Sequence, residues 1–460
     1  MNLYRLLNER KSARRPLGVG LIGAGKFGSM YLAQAQTTPG IHIAGIADLQ
    51  PQRARNSCLK VGFAPESLGA PSLDVARQKG TTWIGEDALE LIASDAIEVV
   101  IDATGSPTAG IRHVRACCRE GKHIVMVNVE ADVLAGPALA REAAAAGVVY
   151  SLAYGDQPAL ICELVDWARA AGFTVVAAGK GTKYLPIYHS STPDQVWGYY
   201  GFTEKQVAEG DFNAQMFNSF LDGTKSALEM AAVANATCLE PPEDGLAFPP
   251  CGADDLPHVM RPREAGGRLE RAGLVEVVSS LERDGRPVYR DLRWGVYVTF
   301  TTENPYSREC FPQYGLPRDD TGRYSALYRP AHLIGMELGI SVASVALRRE
   351  ATGQAQTFMA DVVACAKRDL HPGEILDGEG GYRVYGKLYP ARKSLSGGFL
   401  PIGLAHGLEL NKTIPAGQPL TWEDVIIKGA SEAVSYRWAM ETHFCRLWGL
   451  KDQLSRETEK

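Results

Sequence analysis

From Leu17 onward, short apolar runs alternate with helical spacings. Leu17–Ile22 has no polar interruption, the pattern of a strand buried on both faces, and Lys26–Gln36 behind it carries apolar positions at helical intervals. The same alternation predicts strands over Ile41–Ala47, Thr82–Ile84, Val99–Asp102 and Ile124–Val127. Helices are expected after Pro51 and over Asp87–Ala93, Thr108–Glu120 and Pro137–Ala146. Only Cys58–Gly80 breaks the rhythm, as an insertion after the second unit. Repeated strand–helix–strand units predict an α/β fold whose parallel sheet is covered by helices on both faces.

After about Tyr150 the pattern changes. Pro158–Ala171 and Asp222–Ala236 read as helices, Val175–Ala178 as a strand, and Asp291–Thr302 as a strand alternating through Leu292, Trp294, Val296, Val298 and Phe300. Pro241–Arg263, rich in Pro and Gly, reads as a long loop, and Pro330–Glu350 returns to a helical, mainly apolar pattern. From about Thr357 to Val425 the short strands and many glycines suggest a small β-rich module. The expected organisation is a first domain over 1–155, an α+β catalytic domain over 156–355 whose final helix packs back on the first, and the module and tail over 356–460.

Composition narrows the function classes. A net charge of −5 gives no basic excess for a nucleic-acid backbone. The nine cysteines form no C-x-x-C pair, so neither a disulfide framework nor a structural zinc site is expected. No apolar run approaches the roughly 18 residues of a membrane span. The basic stretch Met1–Pro16 lacks the apolar core of a secretory signal, so a cytoplasmic protein is expected. The histidines show no H-E-x-x-H spacing, and His189 and His332 read as packing or surface residues.

The first candidate chemistry follows the first strand. Gly23-Ala24-Gly25-Lys26-Phe27-Gly28 is a G-x-G-x-x-G that opens a helix. Its glycines suit a tight turn, close approach to a pyrophosphate and helix–strand packing. The helix N-terminus then offers unpaired N–H groups to the phosphates. Asp48 ends the next strand, where an acid reaches an adenosine ribose. Together these predict a Rossmann-type dinucleotide site. Asp48 alone argues for NADH, whereas Arg53 and Arg55 just beyond it suit the extra phosphate of NADPH or simply face solvent. Thr104-Gly105-Ser106-Pro107 after the fourth strand and Asn128 after the fifth lie where the ribose and nicotinamide would sit, or are ordinary turn residues.

The second lies further on. Lys180, Thr182 and Lys183, within Gly179–Tyr184, combine ammonium groups and a hydroxyl on what reads as flexible backbone, suited to a phosphate or carbonyl, or to a solvated turn. Asp222, Lys225 and Glu229 share one helix face at i, i+3 and i+7. Asp222 is either a helix cap or, with Lys225 and Glu229, an acid–base group facing the cofactor. Glu204, Asp211 and Asp222 could meet around a divalent cation, though their spacing does not require it.

These residues carry a resemblance. The glycine fingerprint, Asn128, the Gly155-Asp156-Gln157-Pro158 turn, Gly181–Tyr184 and the Asp222–Lys225 pair resemble homoserine dehydrogenases. Glu130 stands where that family carries lysine, and the Asp–Lys spacing is three rather than four. Val363–Lys367, Asp369–Glu374, Pro401–Leu404 and Ile414–Gly417 resemble a SAF-type module. The combination resembles the deoxyxylulose phosphate reductoisomerase-like (DRL) family. The resemblance implies NADPH-dependent conversion of 1-deoxy-D-xylulose 5-phosphate to 2-C-methyl-D-erythritol 4-phosphate for isoprenoid synthesis, with NADH as the alternative cofactor and a homodimer as the expected assembly. It implies Lys225 as the proton-transferring group with Asp222 or Glu229 as partner, and Lys183, Thr182 or Lys180 on the phosphate. Magnesium or manganese is an optional requirement, by analogy of chemistry. The competing readings are a homoserine-dehydrogenase-like oxidoreductase on another polyol, sugar acid or sugar phosphate, and a cofactor-binding sensor without turnover.

Overall fold

A computed structural model of the chain describes residues 2–210 and 212–451. The chain divides into two compact units, one of residues 1–163 and 332–356, the other of 164–331 and 357–460.

The first unit is built on six parallel strands: β1 (Leu17–Ile22), β2 (Ile41–Ala47), β3 (Trp83–Gly85), β4 (Val99–Asp102), β5 (His123–Met126) and β6 (Tyr150–Leu152). Their order, β3-β2-β1-β4-β5-β6, is that of a dinucleotide-binding sheet, with the switch point between β1 and β4. Its helices are α1 (Leu3–Ser12), α2 (Lys26–Ala35), α3 (Pro51–Lys60), α4 (Leu73–Lys79), α5 (Ala88–Ala93), α6 (Pro107–Glu120) and α7 (Val129–Ala145), and the unit boundary at residue 163 falls within α8 (Gln157–Ala170). Every residue of β1 and β4 is buried, as a sheet covered on both faces requires.

Three expectations are corrected by local chemistry. α7 begins at Val129, eight residues before Pro137, because the Asn128 side chain caps it by accepting the Ala131 N–H at 3.1 Å. Pro137 is carried inside that helix, within the buried run from Ala131 to Pro137. The expected strand from Asp291 starts only at Val296, since the Asp291 carboxylate takes the Arg293 N–H at 2.7 Å and turns the chain. Finally, Pro330–Glu350 yields only a short helix, Gly339–Ala343, followed by one π turn.

The second unit has the mixed sheet β10-β9-β7-β8, from β7 (Thr174–Thr182), β8 (Leu274–Ser279), β9 (Val296–Thr301) and β10 (Tyr324–Arg329). Between β7 and β8 run α9 (Val196–Tyr200), α10 (Glu204–Glu209), α11 (Ala214–Leu221) and α12 (Thr224–Thr237). All of α12 except Lys225 is buried. The C-terminal β-rich segment lies in this same unit. Its strands are β11 (Ala360–Ala366), β12 (Ile375–Asp377), β13 (Val384–Pro390), β14 (His406–Leu410) and β15 (Val425–Ile426). Asn235 of α12 fastens it, accepting the Met359 and Ala360 N–H groups at 2.7 and 2.9 Å. A buried Arg437 in the helix Glu432–Trp448 closes the other side, paired with Asp361 at 2.6 Å and Glu441 at 2.7 Å. No helix among the described residues is long and apolar enough to cross a membrane.

Asp132 of α7 is fully buried and accepts the Tyr150 hydroxyl at 2.7 Å. Burial pushes its carboxyl up to about 6, against the Tyr150 hydrogen bond. An acid with a raised folded-state pKa contributes stability in full below its unfolded value, and that contribution is lost as pH rises through about 6. Asp132→Asn keeps an acceptor for Tyr150 but cannot ionise. It should therefore stabilise the protein at pH 8, by on the order of 2 kcal/mol, and change little at pH 4. Thermal unfolding at the two pH values checks this, and an equal gain at both would sink the ionisation account.

Candidate functional site

In the first unit the glycine turn has the geometry expected of a dinucleotide site. Gly23 sits at φ 91°, and a Cβ there would stand 2.8 Å from the Ala103 carbonyl oxygen. A Cβ on Gly28 would stand 2.6 Å from the Gly23 carbonyl oxygen. A Cβ on Gly25, by contrast, would meet nothing within 4 Å, so the turn is open where a pyrophosphate would approach. Lys26 and Phe27 open α2 directly behind it.

Asp48 is more than a ribose acceptor in waiting. Its side chain is buried, taking the Ala24 and Gln50 N–H groups at 2.8 Å each, and Arg53 lies 3.2 Å away. The carboxylate therefore shapes the glycine turn, and the half-exposed guanidinium offsets the charge that would repel a ribose phosphate. At the next edge, buried Asp102 binds the Thr104 hydroxyl at 2.7 Å and His113 Nδ1 at 2.8 Å. Asn128 Nδ2 donates to the Thr104 hydroxyl and to the Ser106 carbonyl, at 3.1 and 2.8 Å. Thr104, Gly105 and Asn128 thus form one braced loop edge, with Gly105 in a left-handed conformation at φ 64°.

In the second unit the structure rearranges the expected pairs. Glu229 and Lys180 form a fully buried ion pair with each other. Lys180 is thereby withdrawn from the phosphate-holding role, and Glu229 from partnership with Lys225. The cause is β7: residues 179–182 are strand rather than flexible turn, and the lysine points into the core. Lys225, half-buried, occupies the first turn of α12.

Asp222 precedes that helix and is fully buried. Its Oδ1 accepts the Thr224 N–H at 2.9 Å, and Oδ2 lies 2.8 Å from Lys367 Nζ. Burial raises the Asp222 carboxyl above the usual carboxylate range, and the Lys367 ammonium opposes that shift. Lys367 also donates to the Ser191 and Gly381 carbonyls, at 2.7 and 2.6 Å. His189 Nδ1 donates to the Asp222 carbonyl at 2.7 Å, which leaves Nε2 to accept from the Tyr184 hydroxyl at 2.9 Å. Burial holds this imidazole below the usual histidine range, the bond to Asp222 opposing. Tyr184 stacks on Phe248 at 3.9 Å, and His189 lies against Tyr385 at 4.8 Å. Tyr184, His189, Asp222 and Lys367 are thus one connected polar chain between aromatic walls.

Sequence reasoning misses two of these. His189 reads as a packing or surface residue, and nothing local distinguishes it. Lys367 leaves a faint signal, an ammonium directly after the apolar run Val362–Ala366. Among the described residues no group of three His, Cys, Asp or Glu side chains is placed to hold a metal ion. Glu204 is exposed on α10, Asp222 is taken by Lys367, and Asp211 lies outside the described residues.

Removing Lys367 would strand a buried carboxylate. Lys367→Met is expected to cost about 3–5 kcal/mol in urea unfolding, and adding Asp222→Asn should recover most of it. Equal losses in the single and double variants would show that the lysine acts through packing alone.

Known proteins share parts of this architecture. Residues 17–152 match the family model "Oxidoreductase family, NAD-binding Rossmann fold", and residues 155–338 match "Oxidoreductase DRL, catalytic domain". No curated protein matches the chain. Among solved structures, the chain is similar to a probable dehydrogenase from Thermotoga maritima. The identity is 15%, the coverage 73% of this chain and 90% of that one, and the TM-score 0.37. It is also similar to scyllo-inositol dehydrogenase from Lactobacillus casei, solved with bound NAD(H) and scyllo-inositol. There the identity is 11%, the coverage 74% and 92%, and the TM-score 0.38. With a nicotinamide-type Rossmann domain followed by a DRL catalytic domain, the chain is a DRL-like NAD(P)-dependent oxidoreductase.

Proposed function

We propose that this oxidoreductase is a reductoisomerase that uses NADPH to convert 1-deoxy-D-xylulose 5-phosphate to 2-C-methyl-D-erythritol 4-phosphate. The observation that carries this reading is the DRL catalytic-domain match over residues 155–338, which includes Lys183, Asp222 and Lys225. The open turn at Gly25 and the Arg53 guanidinium over Asp48 support NADPH as the cofactor, with NADH the alternative. In this reading the enzyme is a cytoplasmic homodimer of the isoprenoid pathway.

The reaction asks two things of the protein. The rearrangement breaks one carbon–carbon bond and makes another with no net redox change, so it needs a group that takes a hydroxyl proton and returns it. Reduction of the resulting branched aldehyde then needs a proton at its oxygen. Lys225 is the group assigned to both, held at the first turn of a helix whose start is pinned by Asp222. Asp222 is a positioning residue in this scheme, its carboxylate committed to Thr224 and Lys367. Thr182, half-buried at the end of β7, and Lys183 just beyond it are assigned to the substrate. NADPH, when bound at the glycine turn, supplies the hydride, and the protein supplies its orientation.

The test mixes purified protein, NADPH and deoxyxylulose phosphate, with magnesium, manganese or EDTA, and follows nicotinamide absorbance. The expected outcome is oxidation of NADPH with a branched carbon in the product's NMR spectrum. Lys225→Ala should lower kcat at least 100-fold with NADPH affinity unchanged. Oxidation without a branched product would replace the reading with a homoserine-type dehydrogenase, and turnover unaffected by Lys225→Ala would remove the lysine from the chemistry.

A further inference from the structure

Arg293 stands apart from four other shielded arginines of its unit. Arg261 pairs with Asp319 and Asp320, Arg308 with Glu303, Arg383 with Glu374 and Asp377, and Arg437 with Asp361 and Glu441. Arg293 is half-buried, yet its guanidinium meets no carboxylate and no hydrogen-bond acceptor among the described residues. What holds it is aromatic: the guanidinium lies 4.9 Å from the Trp294 ring centroid and 5.9 Å from that of Tyr200. A cation–π contact of this kind consumes none of the guanidinium's five N–H donors.

The same Tyr200 ring receives a second cation. Lys183 Nζ lies 5.7 Å from its centroid and donates to the Tyr199 carbonyl at 2.6 Å, the one hydrogen bond this ammonium makes among the described residues. Burial, and then the charge of Arg293, hold Lys183 below the usual lysine range. The backbone builds this neighbourhood. A Cβ on Gly181 would stand 1.9 Å from the Leu292 carbonyl oxygen and 2.9 Å from the Arg293 nitrogen, so only glycine lets the 292–293 segment cross β7 there. Two residues later the same strand ends in Lys183. The neighbouring Asp291 carboxylate accepts the Arg293 backbone N–H at 2.7 Å.

Two mutually repelling cations on one aromatic ring, with N–H donors to spare, are the complement of a dianion. We propose that Arg293 and Lys183, framed by Tyr200 and Trp294, form a phosphate-binding subsite, with the Arg293 fork its main specificity element. Identifying the anion as the phosphate of a sugar-phosphate substrate rests on the function proposed above. The anion site itself does not.

The experiment titrates the full chain with inorganic phosphate, followed by calorimetry and phosphorus NMR. Saturating NADP+ fills the phosphate positions of the first unit. The wild type should bind phosphate, Arg293→Ala should weaken binding at least tenfold, and Arg293→Lys should fall between. Lys183→Ala should also weaken it, with NADP+ affinity and thermal unfolding of all variants near wild type. Binding in Arg293→Ala as tight as in the wild type, or no binding in the wild type, would overturn the subsite. Loss of phosphate binding in Arg293→Ala, from a protein that leaves deoxyxylulose phosphate untouched, would uphold the subsite and sink the reductoisomerase reading alone. If both readings hold, Arg293→Ala raises KM for the phosphorylated substrate more than it lowers kcat.

Discussion

The second unit is organised around a carboxylate that has no business being charged where it is, except for one ammonium. Asp222 is wholly enclosed, and an isolated ion there would be expelled or neutralised. Lys367 arrives from the far end of the chain to pair with it and directs its remaining N–H groups to Ser191 and Gly381. The ion pair thereby joins the module to the start of α12. The backbone of Asp222 orients His189, its side chain pins Thr224, and Lys225 follows one residue later. A buried pair of this kind adds little net stability over apolar packing, but it penalises every arrangement in which the partners are separated. It thus sets where the first turn of α12 can lie.

The first unit uses the same device at its loops. Asp48, just after β2, and Asp102, at the end of β4, flank β1 in the sheet and commit their oxygens to nearby turns: Asp48 to the Ala24 and Gln50 N–H groups, Asp102 to Thr104. A dinucleotide site needs backbone N–H groups presented without strain, and buried carboxylates keep those turns fixed before any ligand arrives. Where two cations converge without a carboxylate, at Lys183 and Arg293, the contrast is informative. The shielded Arg261, Arg308, Arg383 and Arg437 of the same unit are each met by a carboxylate.

The strand–helix rhythm of residues 17–152, the glycine turn and the acid at position 48 are all legible in one dimension. Each depends on neighbours within a few residues: apolar runs without interruption, a G-x-G-x-x-G between strand and helix, an aspartate ending β2. Errors arise where a local rule loses to burial. Pro137 looks like a helix start and is overridden by the Asn128 cap and by the burial of Ala131–Pro137 in α7. Gly179–Thr182 looks like a flexible loop, but its glycines serve close contact with neighbouring backbone inside a sheet.

The sequence by itself therefore determined the sheet, its order of elements, and the residues from which cofactor and acid–base sites are drawn. Which charges pair was decided only by the tertiary structure. Lys225 and Glu229 are one helical turn apart, yet Glu229 binds Lys180 of β7, and Asp222 binds Lys367 of the module. Helical spacing states which side chains share a face, but not how deeply that face is buried. Once α12 is enclosed, desolvation makes each charge seek the partner that can reach it inside the core, however distant in sequence.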